Sequence, residues 1–177
     1  MKRLSGVPLA VAVLLALATV AAACGGDGSE KGAQEYFEEI AQIFAQHGAD
    51  VEAAQATYDA VVAADLGEEK EVRAYLVLLE TSSKSIRAET ADREKIEPPP
   101  KIEEAHLDLL AAARVIAKIY EDAQEGASDA KTASELQQAL HAIDFGTRLE
   151  EAQGRADEAC TKLQALADEE GIEDKVC

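Results

Sequence analysis

The stretch IEEAHLDLLAAARVIAKIY, residues 102–120, decides the fold. Ile102, Ala105, His106, Leu109, Ala113, Ile116 and Tyr120 recur at spacings of one, three or four, reinforced by Leu110 and Ala117. That period places them on one face of an α-helix. Upstream, Phe37, Ile40, Phe44, Val51, Ala54, Tyr58 and Val61 form a similar stripe, followed by a break at Asp65-Leu66-Gly67. A further stripe runs through Val72, Tyr75, Leu76, Leu79, Ser83, Ile86 and Thr90. It thins toward Glu89, Asp92, Arg93, Glu94 and Lys95, which read as a solvated face. Pro98-Pro99-Pro100 then forces a corner, because three prolines remove backbone donors and turn the preceding residue away from helix. A polyproline recognition role is the weaker reading of that tripeptide.

Beyond residue 120, Gly126 marks a break and Ser128 a candidate N-cap. The last stretch carries Leu136, Leu140, Ile143, Leu149, Ala156, Cys160, Leu163 and Leu166, with Gly171 as its expected stop. Gly48, Gly146 and Gly154 are expected to bend or interrupt their helices. Four amphipathic stretches in one chain predict an all-α fold, an antiparallel four-helix-type bundle that buries the four stripes against each other.

The chain has 177 residues, 17 Lys+Arg against 35 Asp+Glu, no Trp, three Phe and four Tyr. Much of its 47% hydrophobic content is Ala, which favours helix and offers strands little β-branched or aromatic material. A net charge of -18 disfavours nucleic acid, whose phosphates require Lys and Arg contacts.

Residues 1–23 read as an export signal. Lys2 and Arg3 precede the uncharged stretch LSGVPLAVAVLLALATVAAA from Leu4 to Ala23. The small residues Ala21-Ala22-Ala23 lead into Cys24-Gly25-Gly26 and fit a cleavage site. The segment resembles a bacterial lipoprotein signal, which implies that Cys24 receives the lipid and that residues 24–32 tether a bundle spanning 33–177. Plain secretion and a retained membrane span are the alternatives. Several acyl chains would anchor the chain stably without a basic patch. Removing Lys2 and Arg3 with no acidic residue leaves 15 basic against 35 acidic side chains, a net charge of -20.

With Cys24 modified, Cys160 and Cys177 remain as an even pair suited to an oxidising exterior. Closing that loop would contribute roughly 3 kcal/mol in the unfolded-chain entropy model. No Cys-x-x-Cys or adjacent basic cluster points to thiol chemistry.

Glu103 and His106 form a Glu-x-x-His pair, the spacing that di-metal carboxylate bundles use to project two ligands from one face. Such bundles need two of these motifs, and the corresponding position near His141 is Gln138. His47, His106 and His141 lie on three separate stretches, so their convergence depends on the packing. The residues around His106 also suit an ordinary helix start, with Glu103 and Glu104 at the positive end of the dipole. The sequence contains no Gly-rich phosphate loop, His-Glu-x-x-His, Asp-rich calcium loop, Gly-x-Ser-x-Gly elbow or paired-cysteine zinc motif. No catalytic residue is assigned and no cofactor is implied.

Taken together, Cys24, the Pro98-Pro99-Pro100 corner followed by His106 and Leu109, and the Cys160/Cys177 pair resemble a loosely defined group of uncharacterised lipoproteins from high-GC Gram-positive bacteria. The resemblance implies an all-helical protein at the outer face of the cytoplasmic membrane and carries no activity with it. The expected role is structural, protein-binding or small-ligand-binding, with an envelope protein or a wall component as partner. A metal-binding bundle using Glu103 and His106 is the alternative, and a hydrophobic ligand held between Ala-packed helices is a third reading.

Overall fold

A computed structural model describes residues 28–172, with side chains from residue 32 onward. Five helices and no strand occur among the described residues: α1 Gly28–Ala63, α2 Glu68–Arg93, α3 Glu103–Gly126, α4 Ala133–Ala142 and α5 Phe145–Glu169. α1 packs along α2, α2 along α3 and α3 along α5. The short α4 wedges against α2, α3 and α5, while α1 and α5 meet only briefly. The result is an all-α five-helix bundle.

Two cores share this bundle. One joins the first half of α1 (Tyr36, Phe37, Ile40) to the start of α3 (Ile102, Ala105, Leu109) and the end of α5 (Ala159, Leu163, Ala167). The other gathers Val72, Tyr75 and Leu79 of α2 with Ile119 and Tyr120 of α3, Leu136 and Leu140 of α4, and Phe145 of α5. Tyr120 and Phe145 meet edge to face with centroids 5.9 Å apart, as do Tyr58 and Tyr75 at 5.5 Å, the arrangement the ring quadrupoles favour. Burial pushes the Tyr120 phenol up to about 12. Between the cores, the Ser83 hydroxyl donates to the Ala117 carbonyl at 3.0 Å, tying α2 to α3 where small residues let the backbones approach.

The expected breaks fall at Asp65-Leu66-Gly67 and Gly171. Gly67 turns the chain at φ 98 and Gly171 at φ 75, a region costly for residues with a Cβ. At the proline corner the Pro99 carbonyl accepts from the amides of Ile102 (2.8 Å) and Glu103 (3.1 Å), which starts α3.

Several local expectations change. The last stretch divides into α4 and α5, at Asp144 (φ 53) rather than at Gly146 or Gly154. Asp144 accepts the Thr147 hydroxyl at 3.0 Å, stabilising a left-handed residue of the type that tolerates it. α4 is capped by Thr132 rather than Ser128: the Glu135 amide donates to the Thr132 hydroxyl and the Glu135 carboxylate accepts the Thr132 amide, a reciprocal capping box. Ser128 instead donates its amide back to the Glu125 carbonyl and still belongs to the exit of α3. Gly48 lies inside an unbroken α1. That helix also takes in residues 28–32, part of the segment read as tether, because extending an existing helix adds one hydrogen bond for each residue fixed.

Candidate functional site

Three polar clusters lie where α1 meets α2 and α3. Tyr36 stands one position before the Phe37 of the α1 stripe, and its hydroxyl shares a hydrogen bond of 2.9 Å with Nδ1 of His106 on α3. Both side chains are buried. Burial, with the charge of Arg93 second, lowers the His106 pKa, and burial raises that of Tyr36. At neutral pH the pair is an uncharged imidazole and an uncharged phenol.

Arg93 is 1% exposed, the most deeply placed charge among the described residues. Its guanidinium carbon lies 3.8 Å from the centroid of the Phe44 ring, a cation–π contact strengthened by desolvation. Nη2 is 2.5 Å from Glu89 Oε1, yet neither Nε nor Nη2 has an aligned hydrogen-bond acceptor. The attraction is therefore an ionic contact rather than a directed hydrogen bond. Burial lowers the Arg93 pKa and raises that of Glu89, and each partner's charge opposes the other's shift. The solvated face expected over residues 89–95 thus fails at Arg93. Arg93 follows Ile86 and Thr90 at helical spacing, so it continues the inward stripe, and Phe44 and Glu89 receive its charge.

One turn further along α1, His47 Nε2 lies 2.8 Å from Asp92 Oδ2, and the Ser85 hydroxyl donates to the His47 carbonyl at 2.6 Å. Lys95, 2.6 Å from the other Asp92 oxygen, and His47 together hold Asp92 below the usual carboxylate range. His47 is a half-buried, hydrogen-bonded residue at the edge of the core, as its place between Phe44 and Val51 implies.

The three histidines occupy different surroundings. His47 faces Asp92, His106 faces Tyr36, and His141 is exposed on α4. Glu103 is exposed while His106 points into the core. Residues three apart on a helix are separated by about 60° around the axis, enough to straddle the boundary between core and solvent. Among the described residues, no group of three or more His, Cys, Asp or Glu is arranged to hold a metal ion. Cys160 lies half-buried on α5 beside Leu163, while Cys24 and Cys177 fall outside the described residues. No helix among those residues is long and apolar enough to cross a membrane.

An open groove of about 730 Å³ runs between the first turns of α1 and the end of α5, beneath the proline corner. Ile96, Leu166 and the three prolines supply its accessible apolar surface, over the buried Ala33, Tyr36 and Ile102. Glu35, Glu39, Glu97, Lys95, Lys101 and Glu170 supply its charges. Its lining comes from α1, from the corner residues 95–102 and from Leu166 and Glu170 of α5. Sequence reading missed it, since it belongs to three segments far apart in the chain. Tyr36 connects this groove to the buried Tyr36–His106 contact.

No family model, curated protein or solved structure matches the chain.

Proposed function

We propose that this chain is a lipid-anchored extracytoplasmic protein that acts by binding, with its groove as the contact surface for an envelope protein or a wall component. The observation that carries the reading is the position of the groove. It starts at Gly32, eight residues after Cys24 and within the first turns of α1. Lipid at Cys24 would hold that end of the bundle close to the outer face of the cytoplasmic membrane. In this reading α1, α2, α3 and α5 are the four long members of an antiparallel bundle and α4 is an insertion. The net charge of -20 after processing argues against nucleic acid as the partner.

The Cys160–Cys177 bond belongs to the same proposal. The Ile172 amide donates to the Ala167 carbonyl at 2.9 Å, with Gly171 at φ 75, so the chain reverses at the end of α5. From Ala167 back to Cys160 the helix covers about 10 Å. Five further residues can span that distance at up to about 3.3–3.6 Å each.

Intact-mass measurement on protein extracted from membranes tests both covalent features. The expected result is a chain beginning at Cys24, heavier by its acyl groups and lighter by the two hydrogens of one disulfide. An unmodified chain released to the medium would overturn the anchoring, and two free thiols would overturn the bond.

A further inference from the structure

The groove offers one kind of chemistry. Its two lysines are engaged, Lys95 with Asp92 at 2.6 Å and Lys101 with Glu170 at 3.0 Å. Glu35, Glu39 and Glu97 are exposed and make no ion pair among the described residues. Pro98, Pro99 and Pro100 line the same wall, and a prolyl nitrogen carries no hydrogen. Hydrogen-bond acceptors and apolar surface therefore dominate, and the lining sets four carboxylates, Glu35, Glu39, Glu97 and Glu170, against the two lysines, so its net charge is negative. An anionic headgroup would meet repulsion from the three carboxylates. A ligand rich in N–H donors, positively charged and partly apolar is complementary to both components.

The shape narrows the ligand further. Along α1 the lining runs from Gly32 to Glu39, a rise of about 10 Å. The volume is ample for a ligand, but the groove stays open along one side, so a small amine would remain largely hydrated there. An extended segment can cover the apolar surface with one set of side chains while placing lysines or arginines against the carboxylates.

We propose that this groove docks a basic, partly apolar peptide segment of a protein partner, with Glu35, Glu39 and Glu97 as the residues that recognise its charge. This deepens the binding reading above and shares its premise that the groove is a contact surface, but it does not depend on lipid at Cys24.

The test is titration of a fluorescein-labelled peptide alternating lysine and leucine against the exported protein, purified in nonionic detergent, in about 0.15 M salt. Hexalysine, spermine, a glutamate–leucine peptide and phosphatidylglycerol vesicles serve as comparison probes. Saturable one-to-one binding of the lysine–leucine peptide is expected, about tenfold tighter than hexalysine or spermine. The triple variant Glu35→Gln, Glu39→Gln, Glu97→Gln should weaken it about tenfold. A control triple on α5, Glu150→Gln, Glu151→Gln, Glu158→Gln, should leave it unchanged, with far-ultraviolet circular dichroism reporting that both variants remain folded. Equal weakening by the two triples would overturn the proposal, since any acidic surface would then suffice. Spermine binding as tightly as the peptide, or preferential binding to the vesicles, would assign the groove to another ligand class and overturn it as well. Acylation is read separately by mass on the same preparation, so failure of anchoring and failure of peptide docking are distinguishable.

Discussion

The Tyr36 hydroxyl and the Nδ1 of His106, separated by 70 residues in sequence, lie 2.9 Å apart inside the bundle and join α1 to α3. Each satisfies a polar atom that burial would otherwise strand, and the Tyr36 ring also meets His106 edge to face at 5.6 Å. The same tyrosine lines the groove.

Tyr36→Phe should therefore destabilise the protein by about 1–3 kcal/mol, the cost of leaving the imidazole nitrogen without its buried partner. Adding His106→Leu should cost less than the two single losses combined, because the unpaired nitrogen is gone. Urea unfolding of the four members of the cycle measures the coupling. Simple additivity would show that the contact contributes nothing of its own.

Acid should weaken the fold through His106. Its folded pKa lies below the ordinary 6.5 because of burial and the Arg93 charge. As pH falls through 6.5, the unfolded chain takes up the proton before the folded one, so stability is lost over the interval down to the folded pKa and is fully present above 6.5. Glu89 acts in the opposite sense above its ordinary 4.5, since burial makes the folded state the better proton acceptor there. His106→Gln should flatten the slope just below 6.5 relative to the native chain, and Glu89 is common to both proteins. Parallel curves of unfolding free energy against pH would refute the assignment.

Arg93→Met preserves most of the volume over Phe44 but leaves the half-buried Glu89 without the cation beside it. A loss of about 3–5 kcal/mol is expected, with part of it restored by adding Glu89→Gln. Arg93→Lys keeps the charge but forfeits the planar face stacked on Phe44, so it should fall between the native chain and the methionine variant. Thermal melts of the four proteins supply the ranking.

Two glycines should respond in opposite directions. Gly48 lies within α1, has nothing within 4 Å of an added Cβ and takes an ordinary helical φ, so Gly48→Ala should stabilise by about 1 kcal/mol. Gly67 is equally unobstructed but sits at φ 98, so Gly67→Ala should destabilise by about 1 kcal/mol or more. Matching shifts in the urea midpoint would show that Gly67 relaxes without strain.

Thr132→Ala removes the hydroxyl half of the capping box and should cost about 1 kcal/mol, concentrated in α4. Amide hydrogen exchange should quicken for residues 133–136 while the Ile119–Ala123 turn of α3 keeps its protection. Uniform acceleration through α3 would mean that α4 does not open independently.

The stripes of Phe37, Ile40 and Phe44, of Val72, Tyr75 and Leu79, and of Ile102 through Tyr120 were sufficient to specify helices and their buried faces. Periodicity is a local property, as are the conformational demands of Gly67 and of the three prolines. The capping box at Thr132 and Glu135 was also present as a local pattern. Asp144 as the dividing point of the last stretch was not, because Gly146 and Gly154 compete for that role on propensity alone.

Arg93 shows where local reading stops. Its position on the inward stripe was visible after Thr90, but a basic residue near a helix end ordinarily faces water. Only the approach of Phe44 from α1 and of Glu89 from its own helix makes burial of that charge sustainable. His106 read as a surface or core-edge residue near a helix start, with a metal site as the weaker alternative, and only the packing shows Tyr36 opposite it. The groove is assembled from α1, the corner residues 95–102 and the end of α5, segments distant in sequence that only packing brings side by side. The sequence by itself therefore determined the helices, their breaks and their apolar faces, each governed by neighbours within one or two turns. The tertiary structure decided which polar residues were buried and what faced the groove, because those outcomes depend on partners that only packing brings together.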